Sequence, residues 1–253
     1  RFGQENRNLN IFFIMARISH TSEKSKSSNN PTKKYLEWKS NDKAFDYYDS
    51  ALKEKLLREG KTEDEIKKNK LANVKVNLPL KFVFLQHYHT VKGYNDASKS
   101  GITSNEVYYI SSEPMTVRAF KGGTIAEGLY KEIKQDITNA GGKYHRSVYV
   151  MLEDGTIANL SFKGAVVREW SEFFSDNQSL LDNQWIEINE SKDQKKGSVK
   201  YSTPDFTLGK SLTSKESGMA DASASDLKLY LDEYFRKDEQ EAVMAEEEVE
   251  FDL

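Results

Sequence analysis

Residues 80–91 (LKFVFLQHYHTV) form a long apolar run whose apolar side chains fall on both alternating faces. A strand of this length that is buried on both faces favours a strongly curved strand in a closed barrel. Shorter alternating runs predict further strands over residues 106–110, 115–120, 146–152 and 156–163. Asp154-Gly155 lies between the last two and is typical of a tight hairpin turn.

Helical spacing of apolar residues predicts the elements before and between these strands. Residues 41–59 carry one stripe that ends at Gly60, and Thr62 with Glu65 forms a capping box for a short helix to residue 71. Thr124 with Glu127 is a second capping box. It opens a helix whose apolar stripe stops at Gly141-Gly142 and consists of Leu129, Ile133 and Ile137.

The remaining pattern predicts helices over residues 165–174 and 227–235 and a second hairpin around the lysine-rich loop SKDQKKG. Residues 93–105 have loop composition. Strands clustered around one central helix suit a small barrel, so the predicted class is mainly β with added helices (α+β). An OB-like barrel over residues 74–210 is the first choice, and a generic α+β sheet is the alternative.

The flanks of this domain are predicted to differ from it. Residues 1–40 are expected to form a disordered arm, because residues 16–40 are rich in Ser, Asn, Lys and Thr; residues 1–14 are expected to lie upstream of a natural start at Met15. Residues 41–73 form a helical extension whose role stays open between bracing the barrel and building an oligomer contact. Residues 211–237 are a linker with a short helix, and residues 238–253 are an acidic tail expected to stay disordered.

Charge is distributed unevenly along the chain. The net charge is −3, but the last sixteen residues (DEQEAVMAEEEVEFDL) hold eight acidic side chains and no basic one. Without them, 37 basic side chains face 32 acidic ones, an asymmetry that favours a polyanionic ligand. The tail is interpreted as a partner-docking peptide or as a solubilising segment. Its candidate partner-binding residues are Glu246, Glu247, Glu248, Glu250, Phe251 and Leu253.

Several chemistries lack the residues they need. There is no cysteine, which excludes disulfides and thiolate sites, and no apolar stretch reaches the roughly 20 residues of a membrane span. No GxSxG nucleophile motif occurs, so no enzymatic activity and no cofactor are predicted. His87 and His89 share one strand face and could hold a metal if His145 joined them, which leaves a metal-dependent nuclease as a second alternative.

Basic and aromatic residues recur together on the predicted strands and loops. Single-stranded nucleic acid needs both types, because cations track phosphates and rings stack on bases. Any single tyrosine on a strand is more simply an ordinary β-former with a half-buried ring. The candidate nucleic-acid-binding residues are Tyr88, Lys92, Tyr94, Lys99, Tyr108, Arg118, Lys121, His145, Arg146, Tyr149, Trp185, Lys195, Lys196, Lys200 and Tyr201.

Four segments together resemble bacteriophage single-stranded DNA-binding proteins. They are GYNDASKSGITSNEV, VRAFKGGTIAEGLYKEIKQDI, AGGKYHRSVYVMLEDGTIANLSFKGAVVREWSEFF and KKGSVKYSTPDFTLGK, within residues 74–210. The resemblance implies an OB-type fold and sequence-independent binding of single-stranded DNA during phage DNA replication and recombination, without cofactor or catalysis. An acidic C-terminus ending near an aromatic is similar to the tails with which replicative single-strand binders recruit partners.

The expected setting is the cytoplasm of the host cell, with no membrane contact. The main rival function is a phage interaction or virion-associated protein that binds no nucleic acid, in which case the basic and aromatic clusters are ordinary surface and core. A homo-oligomer stays open, because nothing in the pattern decides it.

Overall fold

A computed structural model describes the backbone of residues 30–251 and the side chains of residues 30–234. In that part the strands are β1 (Lys34–Lys39), β2 (Ala44–Tyr48), β3 (Asn73–Val76), β4 (Leu80–Asn95), β5 (Ser100–Ser104), β6 (Met115–Ala119), β7 (Gly123–Gly128), β8 (Gly142–Leu152), β9 (Ile157–Lys163), β10 (Gln184–Lys196) and β11 (Val199–Ser211). The helices are α1 (Ser50–Arg58), α2 (Glu63–Lys68), α3 (Tyr130–Asn139), α4 (Ala165–Asn177) and α5 (Ser214–Phe251). The predicted class, mainly β with added helices, is confirmed.

One large sheet contains all eleven of these strands. Its main path runs β3-β2-β1-β9-β8-β4-β5-β6-β7, and the β10–β11 hairpin branches from it at β4. Strand β8 follows one edge of β4, while the other edge pairs first with β10 at Phe82 and later with β5 at Lys92. No pairing between described strands joins the outer strands β3 and β7. The sheet is therefore large and open, not plainly a small barrel.

Helices on both faces of β4 explain its two-sided apolar pattern. Phe82 and Phe84 belong to a core on the α4 side that includes Trp170. Val83 and Leu85 belong to a second core, to which α5 contributes four residues spaced along one side of the helix: Ala220, Ala224, Leu227 and Leu231. A third core lies under α3 at the far end of β4. The apolar run indicated burial correctly, but layering and not barrel closure provides it.

The N-terminal part of the described chain contains strands where helix or disorder was predicted. Strand β1 lies in the predicted arm, and Leu36 and Trp38 alternate into the core. Phe45, assigned to a helical stripe, lies in β2 opposite Trp38. The helix prediction was wrong there because aromatic residues at spacing three and two fit either period. The capping box of Thr62 and Glu65 is confirmed at the start of α2.

The middle of the chain corrects three local predictions. Residues 93–105 are not a loop, since β4 continues to Asn95 and β5 follows after a tight turn. Residues 106–110 are not a strand, and only Val107 pairs, with His89. Thr124 and Glu127 lie in the strand β7, and α3 begins behind Leu129 without a side-chain cap. A Thr-x-x-Glu pattern caps a helix only where the backbone turns, and here the chain stays extended to Gly128.

The end of α3 depends on Gly141, as the sequence predicted. Gly141 has φ +92°, and a Cβ there would lie 2.2 Å from the carbonyl oxygen of Tyr94. Only glycine fits this conformation and this approach. The close contact fixes the end of β4, and with it Tyr94, against the turn between α3 and β8.

The C-terminal part is more helical than predicted. Helix α5 opens at a capping box in which Glu216 N–H donates to Thr213 Oγ1 and Thr213 N–H donates to Glu216 Oε2. Its backbone continues to Phe251, which corrects both the linker and short helix of residues 211–237 and, as far as residue 251, the disorder expected for residues 238–253; residues 252 and 253 lie outside the described part. Ala, Leu, Glu, Lys and Met dominate this stretch, and all favour helix. Among the described helices, none is long and apolar enough to cross a membrane.

Candidate nucleic-acid interface

Strand register defines one continuous sheet face on the side of α5. Beyond the irregularity near Phe84, the residues Tyr88, Thr90, Lys92 and Tyr94 point to the same side of β4. Cross-strand partners share a face. The face therefore continues across neighbouring strands through Lys143, His145, Ser147 and Tyr149 on β8, Asn159, Ser161 and Lys163 on β9, Tyr35 and Glu37 on β1, Gly101 and Thr103 on β5, and Arg118 on β6.

This face changes character along β4. Around Tyr88 it is apolar and covered by α5. Beyond Tyr88 it is polar, and we call this part the cationic face. Its cations are Lys92, Arg118, Lys143 and Lys163, which four different strands contribute. Glu37 and Glu106 are the carboxylates nearest to Lys92 and lower the excess charge without removing it.

Two exposed rings stand at one end of the cationic face. Tyr94 is 54% exposed, and Phe120 is 74% exposed. Gly101 is the cross-strand partner of Tyr94, and a Cβ on Gly101 would lie 2.8 Å from the Phe120 ring. Because Gly101 has no side chain, the Phe120 ring lies over the strand beside Tyr94. Two solvent-exposed rings in such positions are available for base stacking.

Two lysines lie in the turns beside these rings. Lys99 ends the β4–β5 turn with φ 49°, and Lys121 N–H donates to Ser100 Oγ at 3.1 Å. The two turns pack together, since a Cβ on Gly122 would lie 3.0 Å from the Cβ of Ser98. Both lysine side chains are exposed. The end of the sheet thus brings together two pairs of residues, Tyr94 with Lys99 and Phe120 with Lys121, that lie more than 20 positions apart in the sequence.

Buried polar side chains form the floor of the cationic face. Ser161 Oγ lies 3.3 Å from Lys92 Nζ and 2.9 Å from His145 Nδ1. Burial, followed by Lys92 and Lys163, lowers the pKa of His145 to about 4. His145 is therefore neutral at pH 7 and is not a cation of the interface. Its role in this geometry is to hold Ser161 and, through it, Lys92.

Glu106 lies beside this floor on the loop between β5 and β6. Its carboxylate accepts a hydrogen bond from Tyr149 Oη at 2.9 Å and another from Ser147. Burial raises the pKa of Glu106, while Ser147, Lys92 and Tyr149 act against that rise. Burial also lowers the pKa of Lys92, and Glu106 with Glu37 acts against the fall. The acid and the lysine thus stabilise each other's charged forms.

Three predicted stacking residues lie in the core instead. Tyr88, Tyr149 and Trp185 are only 1%, 4% and 3% exposed and pack in the core under α5. Their ring faces touch protein, so the structure corrects their assignment to the interface. Residues 143–152 show the reason: His145, Ser147 and Tyr149 do share a face, as the alternation predicted, but all three are buried. Tyr149 packs in the core to which α5 contributes, and Tyr149 and Ser147 both bond Glu106.

Two further predicted residues lie away from the cationic face. Arg146 is the cross-strand partner of His89 and points to the opposite face of the sheet. Tyr108 lies at the edge of β4, with its ring centroid 6.3 Å from that of Tyr88 and 6.5 Å from that of His87. Arg146 is therefore not part of the cationic face.

The predicted lysines of the second hairpin form a separate group. Lys195 and Lys200 pair across the tip of β10 and β11, beside Lys196. Tyr201 Oη donates to Gln194, which also bonds Glu169 of α4. The hairpin therefore stands on the α4 side of the sheet, and none of its four candidates, Lys195, Lys196, Lys200 and Tyr201, reaches the cationic face.

His87 and His89 share a face, as the alternation predicted, but His145 lies on the other one. His87 Nδ1 accepts a hydrogen bond from Trp170 Nε1 at 3.3 Å, and burial lowers the pKa of His87 to about 2. Across the part of the chain with described side chains, no group of three or more His, Asp or Glu is placed to hold a metal ion.

The interface includes residues that the sequence prediction omitted. Lys143 and Lys163 are exposed and follow from strand register alone. Phe120 lies between basic residues in the segment VRAFK (117–121), but its exposure depends on Gly101, which is distant in sequence. Tyr35, 46% exposed, was hidden in the predicted arm. The proposed partner-binding residues Glu246 to Phe251 lie at the end of α5, where side chains are outside the described set, and Leu253 lies beyond it.

Comparison with known proteins gives no match of the chain to a protein-family model, to a curated protein or to a solved structure.

Proposed function

We propose that this protein binds single-stranded DNA on the cationic face, without sequence preference and without catalysis. The observation that carries the proposal is the alignment of Lys92, Lys143, Lys163 and Arg118 across neighbouring strands, next to the exposed rings of Tyr94 and Phe120. Cations that track phosphates and rings that stack on bases are the two requirements of such binding. The resemblance to phage single-strand binders led independently to the same class.

The dimensions of the face suit a short stretch of single strand. From β1 across β9, β8, β4 and β5 to β6 there are five strand spacings, or about 24 Å. That length accommodates several nucleotides, as in single OB domains, which bind roughly 4–16. We also propose an OB-like fold, in the sense of a mainly antiparallel sheet that presents one face to a strand, with its outer strands β3 and β7 not paired to each other.

Helix α5 suggests a role for the acidic tail. Met219 approaches Gly155 at one end of β8, and the charge of Asp232 acts on Tyr88 further along the sheet. The helix therefore runs toward the cationic face, and the helical backbone from Tyr234 to Phe251 adds roughly 25 Å in that direction. We propose that the tail competes with DNA for this face and recruits replication or recombination proteins when DNA displaces it.

A fluorescence anisotropy titration tests DNA binding. A labelled single strand of about 30 nucleotides should bind at low salt and bind more tightly than a duplex of the same sequence. Affinity should fall steeply as salt rises, because bound cations release counterions from the phosphates. Equal affinity for duplex, or no binding at low salt, would refute the proposal and favour an interaction protein without a nucleic-acid role.

Removing the tail tests the competition. A chain ending after Lys237 should bind the single strand several-fold more tightly, because eight negative charges no longer compete with the phosphates. The effect should shrink at high salt. Unchanged or weaker binding would exclude competition. Recruitment is tested separately by a pull-down, in which the shortened chain should lose a replication protein that the full chain captures.

A further inference from the structure

Arg146 lies on the α4 side of the sheet among aromatic side chains from several elements. We call the group formed by Arg146, His89, Tyr144, Tyr108 and Tyr130 the Arg146 cluster. The ring centroid of Tyr144 lies 5.7 Å from that of His89 and 5.4 Å from that of Tyr130, the first residue of α3. The cluster therefore occupies the strip of sheet between the α3 and α4 cores. All five members are partly exposed, so a ligand can reach them.

Arg146 determines which atom donates and which accepts in each hydrogen bond of the cluster. Arg146 Nη1 bonds His89 Nε2, and His89 Nδ1 lies 2.6 Å from Tyr144 Oη. Arginine can only donate, so His89 Nε2 must accept and His89 Nδ1 must carry the proton that Tyr144 Oη accepts. Burial and then Arg146 lower the pKa of His89 to about 3, which keeps it neutral. The Tyr144 hydroxyl proton remains available to a further acceptor.

Arg146 has no counter-charge in the described part of the chain. None of the ion pairs among the described residues includes Arg146, and its Nε is buried without a hydrogen-bond partner. Burial lowers its pKa, and the groups that oppose this are the phenols of Tyr144 and Tyr108, with no carboxylate among them. One of five guanidinium N–H groups is engaged, by His89. A partly buried guanidinium without an anion is costly, and proteins usually pair it.

We propose that the Arg146 cluster is a binding site for a nucleotide phosphate, distinct from the cationic face. The planar guanidinium fork matches two phosphate oxygens, and the free Tyr144 hydroxyl can donate to a third. The partly exposed rings of Tyr108, Tyr130 and Tyr144 offer surfaces for the attached base. The site does not rest on DNA binding at the cationic face, since it lies on the opposite face of the sheet. A free nucleotide and the terminal nucleotide of a strand share this chemistry.

Thermal unfolding with defined ligands tests the site. Thymidine monophosphate should raise the Tm in a saturable manner, inorganic phosphate should raise it less, and thymidine or sodium chloride at matched ionic strength should not raise it. In a 15N spectrum, the Arg146 Nε–H signal should shift with thymidine monophosphate. No response of either signal, with single-stranded DNA still bound, overturns this site and leaves the DNA proposal intact. A response to acetate without one to phosphate overturns the phosphate assignment.

Substitution of Arg146 separates a ligand site from a structural role. Arg146→Met should keep the Tm in plain buffer, since it removes an unpaired charge, and should weaken thymidine monophosphate at least 10-fold. Arg146→Lys should lose most of that affinity as well, because it keeps the charge without the fork. Arg168→Met, at an exposed arginine paired with Glu169, is the matched control and should keep the ligand response. A lower Tm of Arg146→Met with an intact response would show a structural role.

A 5′-phosphorylated and a 5′-hydroxyl oligonucleotide distinguish the two sources of the phosphate. If the terminal nucleotide of a strand occupies the site, the phosphorylated strand should bind several-fold more tightly to the wild type and equally to Arg146→Met. If a free nucleotide occupies it, thymidine monophosphate should bind without lowering the affinity for either strand. Thymidine monophosphate that competes fully with a 5′-hydroxyl strand would overturn the separation of the two sites.

Discussion

Lys92 on β4 and Arg146 on β8 lie on opposite faces of this pair of neighbouring strands, and their surroundings differ in one respect. Both are partly buried, and burial lowers the pKa of each. Lys92 has Glu106 and Glu37 within electrostatic reach and Ser161 beside its ammonium. Arg146 has a histidine and two phenols but no carboxylate among the residues that act on it. One cation has an anion from the chain, and the other does not.

This difference separates two uses of a buried cation. Around Lys92 the chain supplies its own charge balance, so the lysine helps to shape the floor, and in the proposed complex the exposed Lys143 and Lys163 would contact the phosphates. Around Arg146 no described carboxylate supplies that balance, which is why we propose that an anion of matching shape binds there. Each cation also lies near histidines whose pKa values are lowered, His145 near Lys92 and both His87 and His89 near Arg146. The pH dependence of stability therefore tests both surroundings.

The largest expected effect is on stability at low pH. His87 and His145 have folded pKa values of about 2 and about 4, below the usual 6.5. The unfolded chain binds these protons as pH falls below 6.5 and the folded chain does not, so stability falls from pH 6.5 downward. At pH 5 each buried histidine costs about 2 kcal/mol of the free energy of unfolding, and the two cost about 4. Urea unfolding at pH 7 and pH 5 measures this.

His145→Gln is the matched variant for that titration. It should remove about 2 kcal/mol of the loss between pH 7 and pH 5, and His89→Gln should remove less because His89 is more exposed. Glu106 acts in the opposite direction: its raised pKa contributes stability that is present below pH 4.5 and lost as pH rises through its folded pKa. An unfolding midpoint that is equal at pH 7 and pH 5 would mean that these histidines are not buried and neutral.

The next effect tests the charge balance at Lys92. Glu106→Ala leaves the Tyr149 hydroxyl and Ser147 without their acceptor, and should lower the free energy of unfolding at pH 7 by about 2 kcal/mol. Glu172→Ala, at an exposed carboxylate on α4, should change it by less than about 0.5 kcal/mol. Combining Glu106→Ala with Lys92→Met should recover part of the loss. A Glu106→Ala chain as stable as the wild type would show that Glu106 does not balance the charge of Lys92 and would remove the main contrast with Arg146.

The rings of the cationic face give a smaller effect, on DNA affinity. Tyr94→Ala and Phe120→Ala should each weaken single-stranded DNA by about 1–3 kcal/mol, since each removes one stacking surface. Tyr201→Ala on the β10–β11 hairpin removes a ring of the same type and should leave affinity unchanged. Circular dichroism checks that each variant is folded. If Tyr201→Ala weakens DNA and the other two do not, the hairpin and not the cationic face binds the strand.

The sequence predicted those parts of the fold that local pattern controls. The buried strand β4, the turn at Asp154-Gly155, the end of α3 at Gly141 and the capping box at Thr62 follow from side-chain period or from backbone chemistry. Strand β1 was missed because its pairing with β9 lies far away in sequence, and β2 was missed because the spacing of its aromatic residues fits a helix as well as a strand. The extent of α5 was underestimated because Ala220 and Ala224 bury little area each and give a weak apolar stripe.

The site was less predictable than the fold, because it depends on which faces are covered. Alternation placed His145 and Tyr149 on one face correctly, but it could not show that both residues are buried. Lys92, Tyr94, Arg118, Lys99 and Lys121, which the sequence proposed because they combine charge or a ring with strand and turn patterns, lie on or beside the cationic face. The surroundings of Phe120 and Arg146 could not be predicted from local pattern. The exposure of the Phe120 ring depends on Gly101, and the lack of a charge partner for Arg146 depends on which carboxylates the fold brings near it.

The salt dependence of DNA binding in two double-lysine variants tests the central claim most directly. Lys121→Ala/Lys143→Ala removes two exposed cations beside or on the cationic face, and Lys195→Ala/Lys196→Ala removes two from the hairpin tip. If each of the first pair contacts one phosphate, that variant should lose about 1.4 from the slope of log K against log salt, while the second variant keeps the wild-type slope. An unchanged slope for the first variant and a reduced one for the second would contradict binding at the cationic face.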